Sequence, residues 1–422
     1  MRVTTLLLML AALALAIAGC GSRIEIPDPP DDIAQTQALA GAELGVYWQV
    51  DLTLNPGERV NRLCLLGQSL YCLTTHNRLM SLEAARGRSQ WTFAPSRPDV
   101  HLYTPLHADG VVVPAGLPGN APDKPGLVVT DQVQPFDAVI VNTLSDVLVL
   151  DRATGKVNMK VPLGFPAGTG GALAQIATGK YVYYLASATG QCYALDLSRA
   201  LNLWQTDMGA AVRAAPAFYA GMLFVADEAG VLHAGSADPS GPKSLWNSNQ
   251  IDSQPMHGAV TADLVIDERG CFVPCQDNRL YAFDRTTGKA LWPPIVCQGP
   301  LRQSPQVGEN TIFQYATRDR LYAVDIPTGT QRWALPAGRV VVALVRDRGS
   351  HVYLIDDANT LRVIEEISGQ ELASSPMTGF DVYLPNATVP AVYAASRTGR
   401  VACIRPLAAG RLTPEMVQPT SP

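Results

Sequence analysis

The sequence predicts an all-β fold: an eight-bladed β-propeller of four-stranded antiparallel blades, the last blade closed by the N-terminal strand. Three observations predict it. A segment recurs along the chain with a spacing near 40 residues, all six tryptophans share one phase of that repeat, and the last copy breaks off before its tryptophan position while the missing end stands near the N-terminus. Composition agrees. Hydrophobic residues make up 47% and charged residues only 16%, with 35 Gly and 32 Pro, the profile of short strands and frequent turns. A chain of 422 residues has length for two or three domains, but a large β ring uses it as one.

The best copy of the repeat is Leu280-Tyr281-Ala282-Phe283-Asp284, then Arg285-Thr286-Thr287-Gly288, then Lys289-Ala290-Leu291-Trp292. The next is nearly identical, from Leu321 through Asp325 and Gly329 to Trp333. Weaker copies keep the phase: Glu83, Gly87, Trp91; Asp151, Gly155, Met159; and Asp196, Ala200, Trp204. Two are degenerate: Glu365, Gly369, Ala373; and Ser236, Gly241, Trp246, the last with two extra residues. The eighth, Val401 to Arg405, ends without a tryptophan, and Trp48 to Leu52 supplies its end. The anchor positions 83, 151, 196, 236, 284, 325, 365 and 405 are spaced 68, 45, 40, 48, 41, 40 and 40 apart.

Each unit has a physical reading. A β-rich run such as Thr311 to Ala316 ends in the polar turn Arg318-Asp319-Arg320, and Leu321 to Val324 alternates as a second strand. The Asp-x-x-Thr-Gly segment then turns tightly, because the Asp side chain accepts from backbone N–H groups and Gly supplies positive φ. The tryptophan opens the next strand and packs on the neighbouring unit. An upstream strand such as Gln303 to Gly308 completes four. Four-stranded units of this length arranged radially make a propeller, here over residues 46–406.

The flanks carry targeting information. Arg2 precedes a short apolar run, Val3 to Ala16, and Ile17-Ala18-Gly19-Cys20 follows. The run is too short for a good transmembrane span. It resembles the bacterial lipoprotein signal, which implies removal of residues 1–19 and lipidation of Cys20; two or more acyl chains anchor stably where one does not. Gly21 in place of Asp points toward the outer membrane. Residues 20–45, with Pro27-Asp28-Pro29-Pro30-Asp31-Asp32, read as a solvated tether. The long 68-residue spacing reflects an insertion over 114–134, rich in Pro, Gly and Asp; loops of such length are usually functional or disordered. Residues 407–422 form a C-terminal tail.

The motif Leu-Tyr-Ala-x-Asp-x-x-Thr-Gly-x-x-x-Trp resembles the repeat of quinoprotein (PQQ-type) propellers. One branch comprises dehydrogenases that hold pyrroloquinoline quinone and Ca²⁺ on the ring axis beneath a pair of vicinal cysteines. No two cysteines are adjacent here, and no acidic cluster can be assigned as ligands, so no cofactor and no enzymatic activity are expected. The other branch is the BamB family, lipoprotein subunits of the outer-membrane β-barrel assembly machine. That resemblance rests on lipobox, tether, eight repeats and length. It implies a lipid-anchored protein on the periplasmic face of the outer membrane, monomeric within a complex with a BamA-like subunit. In the family an Arg before a strand-opening Pro, and one blade later an Asp before a similar Pro, dock onto that subunit. Arg213-Ala214-Ala215-Pro216 and Asp252-Ser253-Gln254-Pro255 look like these segments, with Ala211 and Val212 standing loosely for the family's apolar residues. The alternative is a propeller that binds another envelope ligand, a polysaccharide or a sensor protein.

Little else suggests chemistry. The formal charge is −5 with no basic run, which leaves no nucleic-acid footprint. Beyond Cys20 stand Cys64, Cys72, Cys192, Cys271, Cys275, Cys297 and Cys403; an odd number cannot all pair within one chain. Cys64 and Cys72 flank the turn Gly67-Gln68-Ser69, where a hairpin sets them opposite each other, as a cross-strand disulfide or as two small buried hydrophobes. Cys271 and Cys275 are too far apart along one strand to bond. Cys192 and Cys403 occupy core positions of the repeat. The histidines are scattered, His101 and His107 being the nearest pair, without metal-ligand spacing.

Overall fold

The structure, a computed structural model, describes residues 33–95, 99–113, 135–251, 255–346 and 349–417. Among them the chain forms eight separate four-stranded antiparallel sheets. Blades 1 to 7 span residues 60–93, 106–162, 167–207, 217–247, 265–296, 306–336 and 338–376, their strands following chain order from the axis outward. Blade 8 takes residues 382–406 and adds Leu44–Asp51 as its outermost strand. That strand pairs with Arg400–Pro406, Trp48 facing Cys403 and Asp51 facing Arg400. The ring is therefore closed by joining its two ends within one sheet.

The core divides into eight clusters, each shared by two adjacent blades. Alternation along the middle strands explains this. In Arg279–Phe283, Tyr281 and Phe283 pack toward blade 4 while Leu280 and Ala282 pack toward blade 6. Strands buried on both faces read as continuous apolar runs, and Ser69–Thr74 is buried at every position. Cys192 and Cys403 fill such positions without exposure.

The repeat motif forms the joint between blades. Asp284 Oδ1 accepts the N–H groups of Thr286 and Thr287 and the Thr287 hydroxyl. Asp325 binds Thr328 in the same way, as Asp151 does Thr154 and Asp196 does Ser198. Five turns, those of Gly87, Gly155, Gly288, Gly329 and Gly369, present their glycine to the tryptophan of the preceding blade. A Cβ on Gly329 (φ +66°) would stand 2.4 Å from Trp292 Cγ, and one on Gly288 (φ +70°) 2.6 Å from Trp246 Cδ2. The ring N–H completes the contact by donating across the gap. Trp292 bonds the Ile326 carbonyl at 3.1 Å, Trp48 that of Ala84, Trp91 that of Arg152, Trp204 that of Asp238, Trp246 that of Arg285, and Trp333 that of Glu366. Six of the eight interfaces carry this indole bond, and five of them the glycine contact as well.

Four features differ from the sequence expectations or refine them. The tryptophans sit inside the outer strands rather than at their start, as Trp91 does in Ser89–Phe93. The residue before each is extruded as a β-bulge, for example Gln90 between the pairs Ser81–Trp91 and Leu82–Ser89, and the bulge re-aims the ring toward the next blade. Trp292 is the exception: Pro293 and Pro294 cannot donate to a ladder, and the strand resumes only at Ile295–Val296.

Cys64 and Cys72 do not face each other. The turn is a two-residue one, Gly67-Gln68, so Cys64 pairs with Tyr71 and Cys72 with Leu63. A shift of one residue puts the two thiols on opposite faces of the sheet, and both are free. The stretch read as a tether contains a helix, α1 (Ile33–Gly41), whose Leu39 is buried between blades 7 and 8. Helix α2 (Pro414–Val417), in the C-terminal tail, buries Val417 in the cluster of blades 8 and 1.

Candidate functional site

Antiparallel blades give the ring two rims. One carries the connections between blades and the loops between second and third strands; the other carries the remaining turns, including the Asp-Gly turns. Residues 208–216 link the outer strand of blade 3, Leu201–Asp207, to the inner strand of blade 4, Ala217–Tyr219, and so lie on the first rim. The connection is held from both sides. Met208 N–H donates to the Gly190 carbonyl, and Glu228 N–H to that of Ala211. Asp263, in the next connection, accepts the Ala215 N–H at 2.7 Å.

Within this fixed loop Arg213 projects outward, its side chain 47% exposed, with Nε 3.2 Å from Glu228 Oε1. Exposed ion pairs of this kind contribute at most about 1 kcal/mol, so Arg213 can exchange Glu228 for another carboxylate. Val212 is fully buried among blades 3 and 4 and presents nothing to a partner. Asp252 lies outside the described residues, though Ile251 and Pro255 flank it in the equivalent connection one blade on. Cys20 and the insertion 114–134 also lie outside them. Val113 and Pro135, which border the insertion, join the first and second strands of blade 2, at the rim opposite Arg213.

Below the first rim the inner strands enclose an open cavity of about 1110 Å³ around the axis. Arg59, Arg302, Arg339 and Arg397 line it, against two carboxylates, Asp263 and Asp381. No sequence motif marked these residues, because the four arginines come from four different blades and meet only through ring closure. The signal available was an Arg just ahead of an inner strand, as at Arg59 and Arg302, too common to notice in one copy.

Ca²⁺ requires six to eight oxygen ligands. Asp381 is committed to Arg397 at 3.1 Å, and among the described residues no three His, Cys, Asp or Glu side chains gather where a metal could sit. The lining therefore does not fit the Ca²⁺–quinone pair of the dehydrogenase branch. His107 meets the Tyr71 hydroxyl at 2.8 Å, and burial pushes its imidazole down to about 4. It is a neutral packing group. Among the described residues the cysteines offer no nucleophile: burial pushes Cys72, Cys192 and Cys403 up to about 12.

Comparison with known proteins gives a family and a fold. The family model described as outer membrane protein assembly factor BamB matches residues 143–299 and 276–413. Among solved structures the chain is similar to the crystal structure of BamB from Moraxella catarrhalis, at 15% identity and a TM-score of 0.56, covering 86% of this chain and 97% of that one. It is similar too to the computationally designed Ika8 protein, at 14% identity and a TM-score of 0.58, covering 84% and 98%. No curated protein matches. A designed ring matches about as well as a natural one, so the likeness of shape speaks for the fold alone.

Proposed function

The chain belongs to the family of the outer membrane protein assembly factor BamB, and from that premise we propose that it is a non-enzymatic, lipid-anchored scaffold assisting the assembly of β-barrel proteins into the outer membrane. The observation that carries this reading is the family match running from residue 143 to residue 413. The lipobox ending at Cys20 supports an anchor, at the periplasmic face of that membrane. Arg213, held on a rigid loop and weakly engaged by Glu228, supports docking of a BamA-like subunit by charge. With Val212 buried, only half-buried Ala211 adds apolar contact, so the docking is polar. Asp252 supplies the second charge, one blade on.

The test is a pull-down of the full-length chain with a BamA-type barrel subunit. We expect co-purification, reduced by Arg213→Glu and by Asp252→Lys, and weakened by salt as exposed charge contacts are. Failure to co-purify at low salt, or capture unaffected by both reversals, would remove the reading. The arginine-lined cavity favours a second one, a propeller that binds another envelope ligand such as a polysaccharide.

A further inference from the structure

We infer that the axial cavity is a binding site for a small multivalent anion, one carrying two or more carboxylate or phosphate groups. The charge balance is the first reason. The cavity holds four arginines against two aspartates, in a chain whose formal charge is −5. Arg397 is matched by Asp381 at 3.1 Å. Among the described residues, Arg59, Arg302 and Arg339 form no ion pair, and they come from blades 1, 6 and 7. Three guanidinium groups around one cavity create a focused positive potential.

The second reason is what else the wall offers. The Gln306 amide is spent on blade 7, with Nε2 on the Val341 carbonyl and Oε1 on its N–H. Asn386 is likewise consumed: its Nδ2 donates to the carbonyls of Val389 and Ala391, and its Oδ1 accepts the Val389 N–H. These bonds stiffen the wall and leave the guanidinium groups as its cationic donors. Guanidinium forks bind carboxylate and phosphate oxygens in pairs. The volume matches small-molecule sites, which run to roughly 1000 Å³, rather than a folded partner. Arg213 is not part of this lining, so the inference does not rest on the docking proposal, and either can fail without the other.

The test is isothermal titration calorimetry on the full-length chain, with tripolyphosphate in one arm and citrate in the other, at low and high salt. We expect a dissociation constant below about 1 mM at low salt in at least one arm, weakening as salt rises. The tighter arm identifies whether phosphate or carboxylate is preferred. Replacing Arg302→Gln and Arg339→Gln together should weaken binding by at least about tenfold, since charge-assisted contacts are the strong ones. The melting temperature without ligand should stay unchanged. Arg302→Gln by itself, at an exposed position, keeps the test open if the double variant fails to fold; it should weaken binding by about threefold or more. No binding in either arm would overturn the inference. So would equal affinity in a folded variant, which would put the anions on the outer surface instead.

Discussion

Trp292 is 5% exposed, and its ring is clasped between its own blade and the Gly329 turn of the next. Trp292→Ala is expected to cost about 3–5 kcal/mol, as for other buried Trp truncations, measured by denaturant unfolding. Gly329→Ala should cost at least about 2 kcal/mol, from left-handed backbone and from the Cβ driven into the ring. The chain contains its own precedent for relieving this. At the one turn where Ala200 replaces glycine, at φ +52°, the preceding blade offers Met159 in place of tryptophan, in the cluster on which Ala200 packs. Trp292→Met should therefore rescue part of the Gly329→Ala loss, as a coupling in a double-mutant cycle; strict additivity would refute the joint as drawn. The turn carboxylates make a second residue-scale prediction. Hydrogen bonds from the Thr287 N–H and hydroxyl hold Asp284 below the usual carboxylate value; those from Arg332 and Thr328 hold Asp325 there. Burial raises Glu58, but Thr74, the Asn55 N–H and Arg78 outweigh it and lower it overall. A depressed folded value means stability that is complete above the unfolded carboxylate value, about 4, and is lost as pH falls through the folded one. The melting temperature should drop below about pH 4, and Asp325→Asn should flatten that drop.

The decisive element is the outer strand of blade 8. Leu44–Asp51 forms seven register pairs with Arg400–Pro406 and buries Trp48 against Tyr393 and the turn of blade 1. Arg405 reinforces the seam. It stands where the other blades mostly have an acidic anchor, is 2% exposed, and donates to the carbonyls of Pro390 and Gly410. Its guanidinium also lies 5.7 Å from the Tyr47 ring centroid. A chain lacking residues up to Asp51 would expose the edge of Arg400–Pro406, and an open edge recruits other strands. We expect oligomers in size-exclusion chromatography and loss of cooperative melting; a monomer with native melting would show that the seam is dispensable. The Cys64–Cys72 hairpin shows the limit of reading elements from sequence. Whether its turn holds two residues or three decides which face each thiol takes, and Gly67-Gln68-Ser69 is compatible with both.

At the scale of the whole molecule, the ring separates a rim bearing Arg213 and the basic cavity from one bearing the Asp-Gly turns and the ends of the insertion. Helix α1 docks beside blades 7 and 8. If Cys20 carries the lipid, Cys20→Ser should move the chain from the membrane fraction to the soluble fraction; retention at the membrane would contradict the anchor. Blade count, the split eighth blade and the phase of every tryptophan were legible because they repeat, and repetition turns a weak local signal into a strong one. The bulge before the other five tryptophans repeats as well, but as a backbone event without a residue signature: Gln90, Leu245 and Arg332 share no chemistry.

The sequence by itself determined the architecture, because each blade's alternation, turn and tryptophan are local and need only a neighbour like themselves. It determined the order of closure too, since the incomplete last copy and the stray Trp48 segment complete each other. Only the tertiary structure decided which groups meet on the axis. Arg59, Arg302 and Arg339 lie up to 280 residues apart, and nothing in their surroundings along the chain distinguishes them from solvated surface charges. Ring closure brings them to one cavity and leaves them without carboxylate partners among the described residues, because juxtaposition across blades is set by the geometry of the circle and not by spacing along the chain.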